Sequence, residues 1–149
     1  MENEIQAQMS AVGLIVASIL QDVYKSTTIV FSIVKKHSKE LDEWKGSLPF
    51  MMQLSSLTAQ DSGHRYQEKH RRSLILVHVM QIGAQILLQR RLLVAMAECR
   101  INNRWTLDGS PEEGARIQNE CVKAARTCVE LLDVLGYTKN MFRRCWLCM

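Results

Sequence analysis

The chain predicts an all-α fold, an irregular helical bundle around one central apolar helix. Only two prolines and seven glycines interrupt 149 residues, so the elements are few and long. Apolar residues recur at spacings of three and four, the period of a helix face. Residues 69–100 are apolar on nearly every side, which marks a helix buried among others. The length suits a single helical domain, 1–149, with a real core.

The elements follow in order. Residues 4–25 read as a first helix, with Ile5, Met9, Val12, Val16, Ile19, Leu20 and Val23 at helical spacing. Ser26, Thr27 and Thr28 offer caps for a second helix. Its apolar face takes Val30, Phe31, Ile33, Val34, Leu41 and Trp44. Gly46 weakens that helix, and Pro49 disfavours helical backbone at Leu48, so it should stop near residues 45–47. Trp44 and Leu48 are expected to pack inward beside the exit. Residues 54–68 are polar and read as a loop. The central helix follows, and then a polar loop over 101–109. Ser110-Pro111-Glu112-Glu113 is a capping box with proline at the first helical position. The helix it opens runs to about residue 135, where Gly136 stops it. Ile117, Cys121, Ala124, Ala125, Cys128, Leu131, Leu132 and Leu135 form its stripe. The last stretch, "TKNMFRRCWLCM", reads as the start of another helix.

Composition narrows the function. A net charge of +4, with Lys and Arg spread along the chain, is no nucleic-acid signature. Five cysteines, an odd number, point to an intracellular, reducing compartment. The apolar run 11–20 follows acidic residues where a signal peptide wants positive charge, and it is too short to span a bilayer. The uncharged stretch 73–89 carries His78, Gln81, Gln85 and Gln89, which lipid would not tolerate. No membrane association is expected.

Nor does a catalytic motif emerge, so no enzymatic activity and no catalytic residue are expected. Cys145 and Cys148 have the spacing of half a zinc site, but no second pair lies at a fitting distance. Cys99 with His64 and His70 would need a loop to fold back to make a ligand set. Cys121 and Cys128 sit seven apart on an apolar stripe, which reads as core. The arginine pairs read as solvated faces. One feature carries tension. His78, Gln81, Gln85 and Gln89 form a polar row on an otherwise apolar helix. Such a row faces water, is satisfied internally, or lines a groove that contacts a ligand or partner.

Three motifs share an order. "LDEWKGSLP" supplies Leu41, Trp44, Leu48 and Pro49 in the pattern L-x-x-W-x-x-x-L-P. "QIGAQILLQRRLL" supplies Ile86, Leu87, Leu88, Arg90 and Leu93. Cys121, Ala124, Ala125, Leu131 and Leu132 supply C-x-x-A-A-x-x-x-x-x-L-L. From about residue 24 onward the chain resembles the middle homology region of fungal zinc binuclear cluster transcription factors. Gln81 and Ile82 stand where that family has Tyr-His, Gln89 where it has His, and Arg91 where it has Pro. The resemblance implies a fragment of a larger all-helical regulatory domain, working in the nucleus. It implies control of gene expression through a protein partner, a related regulator or a second copy. A small-molecule effector fits such a domain as well. The six-cysteine zinc cluster of the family is missing from the sequence, so no metal or cofactor and no direct sequence-specific DNA binding are expected of this chain. The other reading is a stand-alone helical adaptor or small-molecule sensor unrelated to transcription.

Overall fold

The computed structural model describes residues 2–26, 30–58 and 68–136. Among them the fold is all-α, with no strand. The helices are α1 (Glu2–Ile19), α2 (Phe31–Ser47), α3 (Leu54–Thr58), α4 (Glu68–Ile101) and α5 (Pro111–Gly136). A wider π-type turn, Leu20–Tyr24, continues α1, and a 3-10 turn, Phe50–Met52, joins α2 to α3.

At 34 residues, α4 is the axis. α1, α2 and α5 all pack on it. Two groups of buried residues show how they run. One holds Ile5 and Val12, Trp44 and Leu48, Leu74 and Val77, and Leu131 and Leu135. The other holds Ile19 and Val23, Phe31 and Val34, Leu88 and Leu92, and Ile117. So α1 runs along α4 in the same direction, while α2 and α5 run against it.

In α1 the buried residues Ile5, Val12 and Ile19 lie seven apart, a narrow seam on one face. Together with its π turn, α1 is a 23-residue helix long and apolar enough to cross a membrane. That exceeds the stretch the sequence singles out, because the helix continues on both sides of it. Here its seam lies on α4. The π turn is held at three points. Tyr24 donates its hydroxyl to the Leu87 carbonyl at 2.9 Å. Arg91 donates to the Val23 carbonyl. Asp22 accepts from Lys36 at 3.1 Å and from His37 at 3.0 Å. These two donors, Lys36 first, hold the Asp22 carboxyl below its ordinary range. His37 is fully buried, and its other ring nitrogen lies 2.7 Å from Glu40 Oε2.

The exit of α2 matches the expectation. Leu48 is extended, at φ −66° and ψ 132°, as a residue before proline must be. Gly46 stays inside the helix with open space around it, so Pro49 and not the glycine sets the stop. Trp44 and Leu48 are both buried. The entry to α2 differs from the expectation. Its cap is Val30, with no side-chain bond of its own, while Thr27 and Thr28 lie outside the described residues. The Phe31 N–H instead donates to Asp108 Oδ1 at 2.8 Å, from the α4–α5 loop.

Three further expectations need correction. Residues 54–68 are not all loop, since Leu54–Thr58 is a helical turn that buries Leu57. The charged pairs are not all solvated, since Arg91 reaches Val23 and Arg71 donates to the Leu57 carbonyl at 3.3 Å. Finally, α4 is central but not covered all round. Leu76, Met80, Val94 and Ile101 remain exposed on its outer side. The capping box of α5 is formed as written. Ser110 Oγ accepts from the Glu113 N–H at 3.2 Å, and Glu113 accepts from the Ser110 N–H at 3.1 Å.

Candidate functional site

Two surfaces bear on function, and α4 builds both. The first is a trough that starts between α2 and α5, is floored by α4 in its middle, and ends between α2 and α3 beside His78. Three hollows of about 470, 350 and 580 Å³ run into one another along it. The first two share Ser38, Asp42 and Glu120, and the last two share Asp42, Lys45, Leu54 and His78. The predicted polar row supplies the floor, with His78, Gln81 and Gln85 lining the middle hollow. α2 supplies one wall, with Ser38, Asp42 and Lys45, and α5 the other, with Glu120, Lys123 and Thr127. The wall residues carry no motif. Only the separation of α2 from α5 brings them together.

Members of the row differ in state. His78 is buried and donates from Nε2 to the Met52 carbonyl at 2.8 Å. Its ring meets the Trp44 indole edge-on, with centroids 6.2 Å apart. Gln81 is buried and Gln85 half-buried, and neither hydrogen-bonds to another described residue. Gln89 is fully buried, and both its amide oxygen and its amide nitrogen lack a partner. So His78 is satisfied internally, Gln81 and Gln85 line the trough, and only Gln89 is sealed in with no partner among the described residues. Native interiors leave few such atoms unpaired, because each costs about 1–3 kcal/mol.

Burial pushes the His78 imidazole below the ordinary histidine range. The Met52 hydrogen bond opposes this, and the nearby Lys45 charge adds to it. The native state then binds fewer protons here than the unfolded chain. This contribution to stability is whole above the unfolded value of about 6.5 and is lost progressively as pH falls below it, down through the folded value. Urea unfolding should show the native chain losing stability relative to His78→Gln between about pH 7.5 and 5.5. A difference that does not change with pH would mean that the ring titrates normally.

The second surface lies on the outer side of α4 and α5. Val94 and Ile101 of α4 and Val122, Val129 and Leu132 of α5 are exposed there, Val129 at 67% and Ile101 at 79%. A hollow of about 560 Å³ among them is lined by Leu93, Met96, Ala97, Cys121, Val122 and Ala125. Burial pushes the Cys121 thiol up, which keeps it protonated at neutral pH.

The residues of the three motifs divide between core and surface. Leu41, Trp44, Leu48 and Leu88 are buried. Leu87, Leu93, Cys121 and Ala124 are half-buried, while Pro49, Arg90 and Ala125 are exposed. Cys128 is half-buried and packs against the first core group, as the stripe predicts. Cys99 and His70 sit near opposite ends of α4, 29 residues and about 44 Å apart, so they share no metal site. His64, Cys145 and Cys148 lie outside the described residues. Among the described residues no group of three His, Cys, Asp or Glu side chains is arranged to hold a metal ion. No family model, no curated protein and no solved structure matches the chain.

Proposed function

We propose that this chain is a regulatory and interaction module of a fungal transcription regulator, working in the nucleus. The three ordered motifs support the family. The open outer side of α4 and α5 supports the interaction and carries the reading. Val94, Ile101, Val122, Val129 and Leu132 leave apolar surface on two adjacent helices where a soluble chain keeps few large patches. α4 has three long neighbours on its inner sides, and its outer side is left for another molecule. The occupant that fits is a helical partner of the same kind, a related full-length regulator or a second copy. Leu93 and Ala125, which line the hollow there, mark where the family pattern meets this surface.

Size-exclusion chromatography with light scattering tests the physical part. Association should grow with concentration and should fall away in a Val129→Glu, Leu132→Glu double variant. A well-behaved monomer at high concentration that binds no apolar dye would remove this reading. The genomic sequence just upstream tests the family: a zinc-cluster reading frame there is the expected result, and an ordinary promoter favours the stand-alone adaptor.

A further inference from the structure

The trough carries an inference that does not depend on the transcriptional reading. Gln81 and Gln85 stand four residues apart on one face of α4, about 6 Å along the axis. Each amide offers donors and an acceptor, and neither is used within the described residues. Gln89 continues the stripe one turn on, buried with both polar atoms unpaired. Polar atoms at this spacing match one kind of partner. An extended polypeptide presents a C=O and an N–H to the same side every two residues, roughly 6.6 Å apart. Along α2 the trough runs from Val34 to Gly46, twelve residues and about 18 Å, room for roughly five residues of extended chain.

The walls add a preference for charge. Lys35 is engaged with Glu113, Lys39 with Glu43, and Arg116 with Glu120. Among the described residues, Lys45 and Lys123 remain on opposite walls of the middle hollow with no ion pair, against one unpaired carboxylate, Asp42. The spare charge is positive.

We propose that the trough binds a short extended peptide with an acidic side chain. Gln81 and Gln85 hold the peptide backbone, and Lys45 and Lys123 meet the carboxylate. The mode is backbone recognition with a side-chain pocket, set on a helix rather than on a sheet edge. The aliphatic stems of the lysines cover the peptide while their ammonium groups reach the acid. Gln89, fully buried, lines none of the three hollows and is not part of the proposed contact.

The test is an NMR titration of the whole ¹⁵N-labelled chain with acetyl-Gly-Ser-Asp-Ser-Gly-amide. The side-chain NH₂ signals of Gln81 and Gln85 should shift together and saturate with a millimolar or tighter Kd. The same peptide with N-methylated backbone nitrogens should bind weaker by roughly tenfold, because it has lost its donors. Replacing its Asp by Asn should weaken binding to the native chain and leave binding to the Lys45→Ala, Lys123→Ala double variant unchanged. Gln85→Ala, at a half-buried position, should reduce affinity without moving the thermal midpoint. Absence of shifts at Gln81 and Gln85 up to roughly 10 mM peptide would overturn the proposal. So would equal binding of the N-methylated peptide, or of free acetate, which would make the trough a simple anion site.

Discussion

Trp44→Ala is expected to destabilise the chain by about 3–5 kcal/mol, the range for deleting a large buried aromatic side chain. The indole is 7% exposed and belongs to the core group that includes Leu48, Leu74 and Leu131. It ties α2 to two other helices. Its Nε1–H donates to Gln8 Oε1 of α1 at 2.9 Å. Its ring edge meets His78 of α4. Its own backbone carbonyl accepts from Ser47 Oγ at 2.7 Å, in the last turn before the stop at Pro49. Loss of the ring empties a volume that α1 and α4 cannot both close upon, and it removes the edge against which His78 is held. In a domain of this size the thermal midpoint should fall by roughly 10 °C or more. Trp44→Phe keeps most of the volume and loses only the bond to Gln8, so it should cost about 1 kcal/mol. A Trp44→Ala melt that matches the native one would show that the indole is no anchor.

Local signals were readable wherever the physics is local. The exit of α2 follows from Pro49 acting on Leu48, and the entry of α5 from Ser110 and Glu113, whose reciprocal bonds are both present. The polar row on α4 was visible as a row because helical periodicity puts four spaced residues on one face. Its environment was not visible. Whether Gln81 and Gln85 meet water or a trough depends on where α2 and α5 stand, and no spacing within α4 encodes that. The same limit hid α3, where Leu54 and Leu57 sit among serines and threonine and become a helix only by docking Leu57 into the core. It also hid His37, which a helix pattern reads as another polar position. Its burial depends on Asp22, fifteen residues back, in a π turn that no local pattern announces. The unbroken apolar pattern of α4 misled in the opposite sense. A helix greasy on all sides asks for neighbours all round, yet the described chain covers only its inner sides.

The α2 entry offers the sharpest test of long-range packing, since what caps it comes from 77 residues away. Gly109→Ala should cost about 2–3 kcal/mol, the scale of forcing an extra methyl into a packed site. A Cβ at Gly109 would lie 2.5 Å from Phe31 Cγ and 2.7 Å from both Cδ atoms. Real carbon atoms do not approach so closely, so the ring or the loop must move. Phe31 has little freedom, being 2% exposed and packed with Leu88, Leu92 and Ile117. The loop has little either. Trp105 packs tilted against Phe31 at 6.5 Å between centroids and donates its Nε1–H to the Gly109 carbonyl. Asp108 holds the Phe31 N–H. Moving the loop therefore also loosens the cap, which alone is worth about 1 kcal/mol and is measured separately by Asp108→Ala. Phe31→Leu should relieve the clash, so the double variant Gly109→Ala, Phe31→Leu should be clearly more stable than the sum of its single changes. The effect reaches the trough, because Val34 and Lys35 of its first hollow ride on the α2 turns that this loop clasps. Simple additivity of the two substitutions, or a Gly109→Ala chain that melts like the native one, would mean that the loop does not clasp α2 in solution.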